Sequence, residues 1–125
     1  MQAIPRIVQI ALPERPPPLS ACFTNHKQRG RVKTPRYRAW ETLCAPTMQK
    51  VSEAEKFVGT VAVKYRFKRT DRRKRDLGNL EKAMSDILVK HGIIEDDSLI
   101  VDLHLAWGGD SQAEITIWNK TLVDT

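Results

Sequence analysis

The sequence predicts an α+β fold: one domain in which helices pack on a single mixed four-stranded sheet, with elements in the order β-α-β-α-β-β. Three observations carry this. The chain has 125 residues, enough for one buried core and too few for two domains. Four short segments alternate apolar and polar residues at strand period, and the clearest helical pattern lies between the second and third of them. Hydrophobic residues make up 41% and charged residues 29%, which excludes a chain disordered by composition, and no run approaches the ~20 apolar residues of a membrane span.

Arg6 to Leu12 (RIVQIAL) forms the first strand, stopped by Pro13 and then by Pro16, Pro17 and Pro18, none of which can donate to a ladder. Ser20 to Lys33 is a polar, basic loop containing Gly30. Thr34 and Pro35 start a helix, because threonine can accept at the N-cap and proline has no N–H to lose at the first helical position. This helix runs through Trp40 and Leu43, and Pro46 ends or kinks it. Val61 to Phe67 is a half-buried strand, with Val61, Val63, Tyr65 and Phe67 on one face. Leu77, Leu80, Met84, Ile87 and Leu88 fall at helical spacing, and Gly92 after His91 supplies a C-terminal stop. Leu99 to Trp107 and the run of Ala113, Ile115 and Ile117 are two further strands, joined as a hairpin by Gly108, Gly109, Asp110 and Ser111. Repeats and low-complexity tracts are absent from the sequence.

The opening residues carry Pro5 and Arg6 and no long apolar stretch, so no secretory signal is recognisable and the expected location is the cytoplasm, with no membrane partner. Cys22 and Cys44 form no CxxC, and only His26, His91 and His104 could join them as soft ligands. A zinc site or disulfide framework is therefore unsupported, and two reduced, partly buried thiols are expected.

Net charge is +6, but its distribution matters more than its sum. From His26 to Arg38 there are six Lys or Arg residues and no acid, and from Arg66 to Arg75 there are seven with only Asp71 against them. His91 through Asn119 holds six acids and no Lys or Arg. One region attracts polyanions and the other can hold cations; an ordinary solvated charge run is the alternative for each.

The two meet in Thr70 to Ser98, TDRRKRDLGNLEKAMSDILVKHGIIEDDS. Four bases, Arg72 to Arg75, lead into Asp76 at the start of the long helix, and Glu95, Asp96 and Asp97 follow that helix. A helix from Leu77 to His91 is about 21 Å long, and Gly92 to Asp97 run extended recovers about 17–20 Å. If the chain doubles back, Asp97 returns near Asp76. Carboxylates beside a basic surface are what metal-assisted phosphodiester hydrolysis needs: they hold a hard cation, which polarises the phosphate and acidifies a bound water, while Lys or Arg stabilises developing charge. Acids also favour helix starts and turns, and Lys82 could be half of an i,i+4 surface pair with Asp86, so the residues alone leave both readings open.

The run DRRKRDLGNLEKA, followed by Asp96-Asp97 with strands on either side, resembles the RusA family of Holliday junction resolvases, whose members read close to D-R-R-R-R-D-L-D-N-L-x-K-A and then D-D. Leu12-Pro13, the proline-rich turn, Arg29-Gly30-Arg31 and Tyr37-Arg38 agree in outline. The resemblance implies a RusA-like fold and a small homodimeric endonuclease of DNA recombination and repair. It would require magnesium, with manganese as a second possibility, and would nick two opposing strands of a four-way DNA junction symmetrically. Carried over, it implies catalytic Asp76, Lys82 and Asp97, a metal held by Asp76 and Asp97 with Asp96, and Asn79 in support. The implied DNA contacts are Arg72, Arg73, Lys74, Arg75, Lys27, Arg29, Arg31 and Arg38.

The carry-over fails at one position: the family's second catalytic acid falls on Gly78, which has no side chain to replace it. Three accounts remain open: water or Asp96 fills the vacancy, Glu81 or Asp71 swings in, or catalysis is lost and binding kept. The rival to a junction nuclease is thus an impaired or inactive branched-DNA-binding protein of the same fold. An RNA-binding domain is a third reading, disfavoured by the lack of an aromatic-rich strand motif for base stacking.

Overall fold

The computed structural model describes residues 6–69 and 77–120. In chain order its elements are β1 (Ile7–Leu12), β2 (Phe23–His26), β3 (Gly30–Lys33), α1 (Pro35–Ala54), β4 (Val61–Phe67), α2 (Gly78–Lys90), β5 (Ile100–Trp107) and β6 (Ala113–Asn119). Single 3-10 turns at Leu19–Ala21 and Asp97–Leu99 precede β2 and β5.

The main sheet has four strands in the order β1-β6-β4-β5, mixed as expected: β5 is parallel to β4, and β6 is antiparallel to both β4 and β1. Register places apolar residues in rows across one face. Ile10, Ile115, Tyr65 and Leu105 form one row, and Leu12, Ala113, Phe67 and Trp107 the next. Except at the β5 edge these side chains are fully buried, and α1 and α2 complete the core with Tyr37, Trp40, Cys44, Met48, Met84, Ile87 and Leu88. The other face carries Gln9, Lys64, Arg66, His104 and Thr116 and meets solvent, as expected of a sheet covered on one side only.

Three expectations are corrected. β5 and β6 are not a hairpin, because β4 lies between them. The reason is burial. Val61, Ala62, Val63, Tyr65 and Phe67 are all inaccessible to solvent, so β4 has to be central, whereas β5 alternates with Asp102 and His104 and leaves Val101 and Leu103 exposed at the edge. The connection steps over the end of β4, where Gly108 N–H donates to Phe67 O at 2.9 Å and Lys68 N–H to Gln112 O at 3.1 Å. Gly108 and Gly109 make that step with φ of +131° and +95°, a region closed to most side chains.

The second correction is that α1 does not stop at Pro46 but continues to Ala54. Buried Tyr37, Trp40, Cys44 and Met48 recur along one stripe on both sides of the proline, and their packing outweighs the single backbone bond that proline forfeits to Thr42, an exposed residue whose carbonyl has water available. The helix start is as read: the Thr34 hydroxyl accepts from Tyr37 N–H at 3.2 Å and donates to Ala21 O at 2.7 Å. Third, Ser20 to Lys33 is not all loop. Thr24 to Val32 and His26 to Gly30 pair in an antiparallel two-stranded hairpin, turned by residues 27–29 with Gly30 at φ +71°.

Both thiols are free and buried, Cys44 completely. No helix among the described residues is long and apolar enough to cross a membrane.

Candidate active site

α2 buries Leu80, Ala83, Met84, Ile87 and Leu88 against the sheet. Its end is fixed by Gly92 at φ +70°, with Gly92 N–H bonded to Val89 O and Ile93 N–H to Leu88 O, both at 3.0 Å. This paired closure reverses the chain at a left-handed residue. Ile93 and Ile94 then plug the core, so the segment is forced back along the helix rather than away from it. Asp96 caps the 3-10 turn, accepting from the Ser98 N–H at 3.1 Å and also from the Ser98 hydroxyl. Those bonds hold its carboxyl below the usual range.

The returning chain places Asp97 against the second turn of α2. Lys82 Nζ lies 3.3 Å from Asp97 Oδ2 and 3.1 Å from Asp86 Oδ1. The i,i+4 pair and the contact with the returning acid therefore coexist. Lys82 and Asp97 are both near half exposed, at 45% and 47%, so the pair is open to solvent. The Asp86 hydrogen bond foremost, and Asp97 with it, raises the Lys82 pKa and keeps the ammonium protonated.

Behind this pair runs a buried chain that sequence reasoning did not find. The Ser85 hydroxyl donates to Glu81 Oε1 at 2.7 Å, so the Tyr65 hydroxyl, 2.8 Å from Ser85 Oγ, donates to it in turn. Burial drives the Tyr65 pKa up, and Glu81, Asp86 and Asp97 add to that in order of effect. Of these acids, Glu81 is joined to the phenol through Ser85, while Asp86 and Asp97 hold Lys82. The i,i+4 spacing of Glu81 and Ser85, opposite a core-facing tyrosine, was the available signal.

Other expected residues fall elsewhere. Asn79 is exposed on the first turn of α2, and Gly78 is the first residue of that helix. Asp96 is occupied with Ser98. Lys27 and Arg29 lie exposed in the turn of the β2–β3 hairpin, Arg31 on β3 stacks 4.2 Å over the Phe23 ring, and Arg38 is exposed on α1. Asp76, Asp71 and Arg72, Arg73, Lys74 and Arg75 lie outside the described residues. Sequence reading also missed Glu41, a buried acid on α1 that pairs with Lys33 and Lys90.

No group of three or more metal-ligating side chains occurs among the described residues. The donor chemistry nevertheless fits a hard divalent ion. Asp97 offers an exposed carboxylate whose present partner is a cation, the Lys82 ammonium, and magnesium uses only one or two carboxylates beside its waters.

An acid–lysine pair on the crossover of a one-sided α+β sheet suits a small nuclease domain, and the family match defines that class. A family model described as Endodeoxyribonuclease RusA matches residues 16–118, and the chain belongs to that family of endodeoxyribonucleases. It is also 27% identical over 97 residues to the crossover junction endodeoxyribonuclease RusA of Aquifex aeolicus (strain VF5), covering 78% of this chain and 77% of that protein.

Proposed function

We propose that this chain resolves four-way DNA junctions in the cytoplasm as a magnesium-dependent endonuclease, cutting by paired symmetric nicks from the two subunits of a homodimer. The observation that supports it best is the Lys82 ammonium held 3.3 Å from the exposed Asp97 carboxylate by a returning chain whose path the helix end dictates. Asp97 and Asp76 would hold the ion, magnesium or manganese, which when bound polarises the phosphate and acidifies an attacking water. Lys82 stabilises charge developing on the phosphoryl oxygens. Asp86 keeps that ammonium protonated and directed, and the Tyr65–Ser85 chain fixes Glu81 alongside. A junction presents two equivalent strands and the Lys82–Asp97 site of one domain can attack one of them at a time, so two-fold pairing of subunits follows from substrate symmetry.

Gly78 favours a second reading, a branched-DNA binder with impaired catalysis, because the position has no side-chain carboxylate. Incubation of a synthetic four-way junction with the native chain and with Lys82→Ala, in magnesium and in EDTA, tests both. Paired nicks that need magnesium and Lys82 support resolution, whereas tight junction binding without nicks supports the second reading. Neither binding nor nicking refutes both. A one-to-one complex of junction with a sedimenting monomer would refute the dimer.

A further inference from the structure

Among the described residues, a second cluster of fixed charge is built round a buried acid. Glu41 on α1 is 6% exposed, yet its Oε2 takes Lys33 Nζ from β3 at 2.9 Å and Lys90 Nζ from the last turn of α2 at 3.4 Å. A buried carboxylate stays charged only when paired, and here one acid serves two ammoniums, leaving net positive charge. Each ammonium has three donors; Lys33 spends one on Glu41, and Lys90 is held there as an ion pair. The two lysine side chains are 38% and 49% exposed, so their remaining donors face solvent from held positions. Lys33 is further fixed by the Tyr37 ring, 5.3 Å from its Nζ.

These groups line one depression. Lys33, Glu41, Lys90, Arg38 and Thr42 surround a hollow of about 430 Å³. Through Lys33, Arg38 and Thr42 it continues into a groove of about 650 Å³ that reaches His26 and Arg29 under the hairpin. The floor of that groove is apolar, with Val32, Pro35 and Ala39. Basic walls over a small apolar floor suit a sugar–phosphate backbone, whose phosphates take ammonium and guanidinium donors while the sugars take the floor.

Position relates this hollow to the cleavage site. Lys82, Asp86 and Lys90 recur every four residues along one stripe of α2, so Lys90 stands about 12 Å from Lys82 along the helix. At about 3.4 Å per base pair, that is three to four base pairs along a duplex.

We propose that the Lys33–Glu41–Lys90 hollow is a phosphate seat for the DNA arm that leaves the Lys82–Asp97 site, with Lys33, Lys90 and Arg38 as donors and Glu41 positioning the two lysines. The inference rests on the junction-nuclease reading and adds a second anchor, three to four base pairs from the bond to be cut. The ordinary alternative is an ion-pair cluster that only ties β3 to α2. The two differ in salt dependence.

The test measures dissociation constants for a four-way junction and for a linear duplex of equal length, from 50 to 200 mM salt, on the native chain and three variants. Lys33→Gln with Lys90→Gln should lower the slope of log K against log salt by about two units, each phosphate contact contributing about 0.9. Lys33→Arg with Lys90→Arg should restore it. Glu41→Gln adds net positive charge, which would tighten binding if attraction alone mattered; weaker binding is expected because the lysines lose their holder. Thermal melts confirm that each variant is folded. An unchanged slope in the folded double Gln variant overturns the seat, and tighter binding by Glu41→Gln overturns the positioning role. Native binding no stronger to the junction than to the duplex refutes the junction reading alone, and the slope on duplex then decides the seat.

Discussion

Restoring an acid at Gly78 puts the site's chemistry to a graded test. Gly78 is exposed, opens α2 and stands four residues before Lys82. Gly78→Asp gains about 0.3 kcal/mol of helix propensity. A carboxylate in the first turn gains about 0.3–1 kcal/mol from the helix dipole. Pairing with Lys82 at i,i+4 adds about 0.3 kcal/mol, at the low end because Asp86 and Asp97 already hold that ammonium. Glu81, three residues on, opposes with about 0.2–0.5 kcal/mol of like-charge repulsion. The balance is about +0.4–1.4 kcal/mol, or roughly 2–5 °C in Tm for a domain of this size. A divalent ion reverses the repulsive part, and a tenfold gain in its affinity adds up to about 1.4 kcal/mol at saturation. The assay is thermal melting with and without magnesium, together with junction nicking against magnesium concentration, for the native chain, Gly78→Asp, and Gly78→Asp with Asp76→Asn. The native chain should nick weakly, the single variant clearly better, and the double variant not at all. Equal magnesium-induced shifts in native and Gly78→Asp proteins would refute the vacant-ligand reasoning. Robust native cleavage that survives Asp76→Asn would place the ion elsewhere.

Serine in place of each of Arg72, Arg73, Lys74 and Arg75 should weaken junction binding irrespective of sequence and reduce the salt slope by about one unit per lost contact; unchanged slopes would mark these residues as merely solvated. Burial pushes the Cys44 thiol up to about 11 and raises Cys22 as well, so neither should react with a thiol reagent at pH 8 until the chain is denatured, and rapid native labelling would contradict the packing. Burial, aided by Lys90, lowers the His91 pKa, and its buried Nε2 has no hydrogen-bond partner. The neutral form is therefore the folded form. The resulting stability is present above the ordinary histidine pKa near 6.5 and is lost as pH falls through the lowered folded value. Melting temperature should drop between pH 7.5 and 5 by less in His91→Phe than in the native chain, and identical pH profiles would remove His91 from the account.

What could be read from the sequence follows from period and punctuation. β4 and α2 were legible because Val61 to Phe67 keeps a strict two-residue period and Leu80, Met84, Ile87 and Leu88 a helical one, with Gly92 marking the stop. That stop made the return of Asp97 toward α2 legible by length alone, and the Lys82–Asp97 contact agrees with it. Strand adjacency was not legible, since alternation says which face is buried and nothing about neighbours; the glycines after Trp107 suit a step across β4 as well as a tight turn. The β2–β3 hairpin escaped because Asn25, His26 and Arg31 are polar on an exposed ribbon with no buried face to give a period. Glu41 escaped because acids are read as surface residues, although it continues the stripe of Tyr37, Trp40, Cys44 and Met48.

The place of β6 between β1 and β4 governs how the molecule can assemble. β4, α2 and β5 form a crossover unit from neighbouring sequence, but β1 is the first described strand and its partner the last, Ile7 meeting Trp118 and Leu12 meeting Ala113. Until β6 arrives, β1 and β4 have no shared ladder and both display open edges. One strand must then complete two ladders at once, a non-local closure that slows folding and prolongs the exposure of strand edges to other chains. Register is equally concentrated. A slip of one residue in β6 would turn Ala113, Ile115 and Ile117 out of the core against both neighbours together, so this strand specifies the alignment of β1 and β4 as well as its own.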